Sequence, residues 1–418
     1  MEVKLGYKQT EVGVIPEDWE IRTIRNVSSM VTVGFVGSMA HLFTANGVPL
    51  LRGQNVLPGR IDLTDSRFIS PQTHDLWKKS ALRGGDIVIV RVGYPGTCAV
   101  VPTDFGAANA ASLVVVRPDP SCIESDFMCC VLLSDIGRRQ VKAAMVGGAQ
   151  QVINIGTAAS LVLPIPNKPE QRAIATALSD LDGLLGGLDR LIAKKRDLKQ
   201  AAMQQLLTGQ NRLPGFHGEW EVNNLKQAAE ISTGINKPLS EMGSGALYVT
   251  VQDLYDATSI RNERLSRIKV SRAEIEAKAL AVGDIVFGKS SVKRDGIAYP
   301  SQFLGCQEPV VFSGFTYRAR ARQGISDAIF LFYALRTAET RRWVIDNAQA
   351  SALTNINQKI ADAIPVQMPP TVAEQTAIAE VLMEMDLELA GLEQRREKTR
   401  ALKQAMMQEL LTGRTRLV

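Results

Sequence analysis

Glu170–Leu213 reads EQRAIATALSDLDGLLGGLDRLIAKKRDLKQAAMQQLLTGQNRL, and Glu374–Leu417 reads EQTAIAEVLMEMDLELAGLEQRREKTRALKQAMMQELLTGRTRL. The two stretches align without a gap at a constant offset of 204 positions and are identical at 24 of 44. Unrelated sequences match at only a few positions, so the chain carries an internal duplication. Both copies read as one long helix. Apolar residues fall three and four apart at Ile174, Leu178, Leu181, Leu185, Leu188 and Ile192, and at Ile378, Leu382, Met385, Leu389 and Leu392. That narrow seam is the pattern of a helix packing along another helix. Further on, the stripe shifts by a residue to Leu198, Ala202, Leu206 and to Leu402, Met406, Leu410.

Each run has a start and a stop. Asn167 precedes Glu170 by three and Thr371 precedes Glu374 by three, the spacing of a capping box. Thr208-Gly209 and Thr412-Gly413 close the runs, with Gly suited to the left-handed position past a helix end. About 40 residues at 1.5 Å rise make a rod on the order of 60 Å long. Two equal rods with one apolar seam each are expected to pair. An ordinary helical hairpin does not fit, because residues 214–373, of different character, separate the copies.

A chain of 418 residues has room for two or three domains. Its 45% hydrophobic and 22% charged residues are those of a soluble globular protein, and a net charge of +5 permits nucleic acid as a partner without demanding it. The longest apolar runs, such as Ile87 to Val90, are far too short to span a bilayer, and the opening MEVKLGYKQTEVG has no apolar signal core. The five cysteines, Cys98, Cys122, Cys129, Cys130 and Cys306, form no C-x-x-C pair. These features predict a cytoplasmic protein with neither a disulfide framework, a structural metal nor a membrane span.

The duplication extends beyond the rods. Pro16-Glu-Asp-Trp19 opens the chain and Glu219-Trp220-Glu221 follows the first rod, with both tryptophans expected to anchor packing. Residues 21–163 show β-like runs at Val31–Val36, Asp86–Val92 and Ser112–Val116 and helical patches near Glu124–Leu133 and Gly137–Ala144, an α+β class. Residues 221–367 repeat the scheme weakly. Leu82-Arg-Gly-Gly-Asp-Ile-Val88 matches Leu280-Ala-Val-Gly-Asp-Ile-Val286, Gln54 aligns with Gln252, and Gln151-Val-Ile-Asn-Ile155 aligns with Ala352-Leu-Thr-Asn-Ile356. Between these anchors the globules differ almost everywhere. Two related globules on two related rods suggest a pseudo-two-fold object, which matches the approximate symmetry of duplex DNA. Globules with different faces would read two different half-sites, and the recognised site would be split and non-palindromic.

Motifs for chemistry are missing. There is no G-x-x-x-x-G-K-[ST] loop, no G-x-G-x-x-G, and no Asn-Pro-Pro-aromatic motif, the Pro369-Pro370 pair being preceded by Met368. Glu276-Ala-Lys278 fits the short E-x-K pattern of some nucleases but sits in SRAEIEAKAL, which reads as a solvated helix. Such a chain supplies recognition while partners supply chemistry. Candidate DNA contacts in the first globule are Arg52, Gln54 and Asn55, then Arg91 and Tyr94 in the turn Arg91-Val-Gly-Tyr-Pro-Gly96, then Gln150 and Gln151 in the loop Gly147–Gln151. In the second they are Gln252, Lys289, Lys293 and Arg294. Arg and Gln suit bidentate contacts to guanine and adenine edges, and Lys suits phosphates. Arg261, Arg264, Arg267, Lys269 and Arg272 form either a phosphate-facing stripe or a solvated flank.

With these residues in hand, the chain resembles the DNA-specificity subunit of type I restriction-modification systems. The resemblance covers essentially the whole length. It is carried by Pro164-Ile-Pro-x-x-Pro-Glu-Gln-x-x-Ile174 and Met368-Pro-Pro-x-x-x-Glu-Gln-x-x-Ile378, the twin Leu-Leu-Thr-Gly endings, the Gly-Asp-Ile-Val anchors and the opening Thr10-Glu-Val-Gly-Val-Ile-Pro16-x-x-Trp19. It implies target recognition domains at 1–166 and 211–370, long helices at 167–210 and 371–413, and a tail at 414–418. The helices would pair antiparallel as a coiled coil, acting as spacer and as docking surface for two methylation subunits. It further implies no cofactor on this chain. S-adenosylmethionine, ATP and Mg are expected on partners, which include two ATP-dependent restriction-translocation subunits. The second globule departs from the pattern, with Ala352-Leu-Thr-Asn355 where the first has a Gln-rich segment. Two alternatives stay open: a coiled-coil adaptor whose globules bind proteins, and the recognition subunit of an enzyme in which cleavage and methylation share one partner chain.

Overall fold

The two copies of Gly-Asp-Ile-Val each place a carboxylate at the root of a central strand, and each carboxylate finds the same partner. Asp86 accepts from Arg117 Nε and Nη2 at 2.8 and 2.7 Å, and Asp284 accepts from Arg320 Nε and Nη2 at the same distances. Both aspartates are buried, and each also accepts from a backbone N–H three residues earlier, of Arg83 or Ala281. The preceding glycines, Gly85 and Gly283, have φ of 85° and 91°, which a residue with a Cβ reaches only with strain. The motif therefore pins a tight turn to two adjacent strands at once.

The structure is a computed structural model, and it describes residues 5–145, 152–254, 259–350 and 353–417. The chain forms two compact units, Met1–Asp189 with Gln394–Val418, and Arg190–Glu393. Each therefore contains one globule and a part of each long helix. In the first unit a four-stranded antiparallel sheet has the order Cys98–Val100, Ile87–Val90, Leu113–Pro118, Ser28–Val33. In the second, Ser301–Gln302, Ile285–Gly288, Thr316–Ala321 and Ala229–Thr233 repeat that order. A second sheet accompanies each: five short strands in the first unit and three in the second, each with one parallel pair. The helical patches expected near Glu124–Leu133 and Gly137–Ala144 are the helices Ser125–Leu133 and Asp135–Met145. The result is two α+β globules of one plan, each packed with a part of both long helices.

Those helices are Lys168–Leu206 and Val372–Leu410, 39 residues each. Within the first unit, Ile174 and Leu178 of the first helix share a core with Leu410 and Leu411 of the second. Within the second unit, Ile378 and Leu382 of the second helix share a core with Leu207, Leu206 and Met203 of the first. The start of one helix thus lies beside the end of the other, an antiparallel pairing. Of the predicted seam, Ile174, Leu178, Leu188, Ile192, Ile378, Leu382 and Leu389 are buried, and Leu181, Leu185, Met385 and Leu392 are half-buried. The shifted stripe fails at its first members: Leu198 and Leu402 are 46% and 52% exposed. There the seam passes instead through Lys199 and Lys403, whose stems are half-buried and whose ammonium groups meet Asp386 and, at 2.5 Å, Asp182. A long lysine covers apolar surface with its methylenes and keeps its charge at the edge. The two bridges are the same bridge at the 204-residue offset.

The capping boxes form only by half. Asn167 Oδ1 accepts from Glu170 N–H at 3.0 Å and Thr371 Oγ1 from Glu374 N–H at 3.3 Å. The glutamate side chains do not reach back, because both are fully buried against an arginine that arrives from the other rod's tail. Glu170 takes Arg416 Nε and Nη2 at 2.5 and 2.8 Å. Glu374 takes Arg212 Nε and Nη2 at 2.8 and 2.5 Å. The tails reach these sites through Gly209 and Gly413, at φ 69° and 66° in the left-handed region, each packed on a tryptophan: Trp220 and Trp19. Trp19 also donates its indole N–H to Glu170 at 3.2 Å.

Candidate nucleic-acid interface

The end of the central strand organises the candidate residues in each globule. In the first, Ile87–Val90 runs into Arg91-Val-Gly-Tyr-Pro-Gly96, where Gly93 and Gly96 both have φ of 88°. That double left-handed turn throws its apolar residues outward: Tyr94 is 84% exposed and Val92 is exposed beside it. Arg91 is held back, donating from Nε to the carbonyl of Ile153 at 3.0 Å while its own carbonyl accepts from Ile153 N–H. The turn Gly53–Asn55 lies against the same strand end, with Gly53 next to Val90. Gln54 is exposed there.

Asn55 is not an exposed contact. It is 2% exposed; its Oδ1 accepts from Arg52 N–H, and its Nδ2 donates to the carbonyls of Asp62 and Asp65 at 3.0 and 3.3 Å. Its amide is consumed in holding two loops together. Arg52 is half-buried and donates from Nη2 to the Asp65 carbonyl at 2.8 Å. Gln150 and Gln151 lie outside the described residues.

In the second globule Gln252 occupies the position of Gln54, exposed in a short turn, Val251–Leu254, that packs on Ile285–Gly288. Asp253 Oδ2 accepts from Thr250 N–H at 2.7 Å, repeating what Asn55 does for Arg52. Lys289 turns inward. Its Nζ donates to Thr233 Oγ1 at 3.1 Å and sits 4.4 Å from the centre of the Tyr317 ring. Burial, and then the nearby Lys278, push its pKa down. Lys293 and Arg294 stand exposed and make no ion pair among the described residues. Val292 beside them is 88% exposed, and Phe315 is also exposed. Within the basic cluster, Arg267 is paired with Glu308 at 2.8 Å and Arg272 with Glu276 at 3.0 Å, so part of it is neutralised.

The strand ends also correct the alignment of the globules. Ile356 N–H donates to the Lys289 carbonyl as Ile153 N–H does to that of Arg91, and Asn357 caps the helix Gln358–Asp362 as Asn154 caps Ile155–Ser160. Asn154 therefore corresponds to Asn357 and not to Asn355. Two Asn residues stand close together in Thr354-Asn-Ile-Asn357, and only the cap decides between them. Sequence reading also passed over Asp65, Val92, Val292 and Phe315. The first carries no local motif, and apolar side chains in loops read as packing until their exposure is known.

Among the described residues no group of three or more His, Cys, Asp or Glu is placed to hold a metal ion, and no helix is long and apolar enough to cross a membrane. The site is thus a set of turns on paired scaffolds. Residues 16–193 match the model of the type I restriction modification DNA specificity domain. The chain is 23% identical over 99% of its length to the putative type I restriction enzyme MjaX specificity subunit of Methanocaldococcus jannaschii, covering 97% of that protein. It is 21% identical over 66% of its length to the EcoKI specificity subunit of Escherichia coli, covering 62% of that protein. Among solved structures, the type I restriction-modification S subunit from M. genitalium shares the fold with a TM-score of 0.62 at 16% identity, over 98% of each chain. A chain from a structure on complex assembly and conformational transition of the type I R-M system gives 0.57 at 17% identity, over 96% of this chain and 99% of that one. The chain is thus similar along its length to type I restriction-modification specificity subunits, and residues 16–193 carry the match to their DNA specificity domain.

Proposed function

We propose that this chain is the non-catalytic reader of a restriction-modification complex, with each globule contacting one half of a split, asymmetric DNA site. The observation that carries this reading is the contrast between scaffold and surface. The buried Arg–Glu clasps, the Asp–Arg strand pins and the Lys–Asp seam bridges occur twice with matching geometry. The turns at the strand ends do not: the first presents Val92 and Tyr94, the second Val292, Lys293 and Arg294. Shared scaffolds with unlike presenting turns suit two unlike half-sites.

The long helices join the globules, set the gap between half-sites and dock two methylation subunits. S-adenosylmethionine is used on those subunits, and ATP with Mg on restriction-translocation subunits. The cytoplasm, where the chromosome lies, is the place of action. Exchange of residues 20–163 for another first globule tests the reading. Sequencing of methylated adenines in the host genome should then show one half of the motif changed and the other retained. Change in both halves, or in neither, rejects it.

A further inference from the structure

We infer that Asp65 is a specificity-positioning residue, a carboxylate that fixes which edge of Gln54 the first globule turns toward DNA. This deepens the proposed function and assumes that the Arg52–Asn55 turn contacts bases. Three donors converge on this one side chain. Gln54 Nε2 donates to Oδ2, Arg52 Nη2 lies 3.5 Å from the same oxygen, and Arg67 Nη2 lies 3.8 Å from Oδ1. Gln54, Asp65 and Arg67 are all exposed, so the cluster faces outward.

The chemistry of an amide makes the contact decisive. Gln grips adenine with its carbonyl oxygen accepting from N6 and one N–H donating to N7. Reversing the amide reverses donor and acceptor and destroys that match. Asp65 consumes one Nε2 hydrogen of Gln54, which leaves the carbonyl oxygen and the second hydrogen for a base edge. A carboxylate only accepts, so it admits one orientation of the amide. Arg52 is tethered on Nη2 by the Asp65 carbonyl at 2.8 Å.

The loop that carries Asp65 is held without its carboxylate. Asp62 N–H donates to the Asn55 carbonyl at 2.8 Å, Asn55 Nδ2 donates to the carbonyls of Asp62 and Asp65, and Thr64 N–H donates to Asp62 Oδ1 at 2.9 Å. The carboxylate can therefore be removed with the loop in place.

The test uses the full chain with its methylation partner and selects bound duplexes from a pool randomised across the half-site read by the first globule. Gln54→Ala is expected to flatten the preference at one base pair about tenfold. Asp65→Ala is expected to flatten the same position by a similar factor, and the double variant no further. Asp65→Asn, whose amide can turn either an oxygen or an N–H toward Gln54, admits both orientations and should relax the preference in part. If Asp65→Ala tightens binding to all duplexes alike, the carboxylate masks the turn from DNA and the inference is wrong. It is equally wrong if Asp65→Ala relaxes a different position, or none while Gln54→Ala relaxes one. If Gln54→Ala leaves every position unchanged, the turn does not read bases, and both the assumption and the role of Asp65 fall.

Discussion

Glu170 and Glu374 sit fully buried with charge-assisted bonds from Arg416 and Arg212, in positions where local spacing alone predicts a helix cap. A carboxylate taken out of water is costly unless a partner and hydrogen bonds replace its hydration, and removing one partner typically costs about 3–5 kcal/mol. Arg212→Ala should therefore destabilise the second unit by about that amount in denaturant unfolding. Arg212→Ala combined with Glu374→Leu should recover part of the loss, because the stranded charge is gone. The same arginine on the other tail sets a pH response. Arg416 bonds Asp18 at 2.9 Å and holds its carboxyl below the ordinary 3.8. A depressed folded-state pKa stabilises above the unfolded value and is lost as pH falls through the folded one. The Arg416–Asp18 contact should therefore be intact at neutral pH and open only as pH falls through a folded value that lies below 3.8. Carboxyl-carbon NMR titration of Asp18 would follow it, and a midpoint at or above 3.8 would count against the bond.

The long helices combine an apolar seam with ion pairs along its margins. Lys195–Glu388 at 2.6 Å lies in the second unit, and Arg396–Asp189 at 3.4 Å lies in the first. Exposed pairs of this kind contribute little each, so the seam residues should dominate. Leu382→Ala, at a fully buried position, is expected to cost about 2–5 kcal/mol, whereas Leu198→Ala and Leu402→Ala should change stability by less than about 0.5 kcal/mol. Thermal or denaturant unfolding of the three variants checks the ranking. The ends of the helices are equally particular. Leu207 is buried in the core of the second unit and Gly209 packs on Trp220, so an insertion between Thr208 and Gly209 would dislodge this tail before it lengthened anything.

Across the whole chain, the polar contacts that join elements recur in both halves, while the turns at the strand ends differ. Arg117 and Arg320, Lys199 and Lys403, and Arg212 and Arg416 keep their partners because each closes a contact the fold needs twice. Tyr94 and the Lys293–Arg294 pair answer to no such contact. The two globules should consequently differ in how they bind. Replacing Lys293 and Arg294 together by alanine should reduce the slope of log affinity against log salt by roughly 1–2, while Tyr94→Ala weakens binding with the slope unchanged. Fluorescence anisotropy over a salt series separates these outcomes, and equal slopes for both variants would refute the distinction.

The rods, their seam, their glycine stops and the twofold recurrence of an α+β globule were legible in the amino-acid sequence. Helix period, cap spacing and repeat offset are local quantities, fixed by the geometry of a few consecutive residues. Which partner each polar side chain takes was not legible. Glu170 has a capping position by sequence, yet it meets an arginine 246 residues away. Asn55 is a plausible base contact by type, yet it is spent on backbone carbonyls, and Asn154 finds its counterpart at Asn357 through a shared cap. A hydrogen bond is decided by distance and desolvation, and only the tertiary fold brings the competing donors and acceptors together.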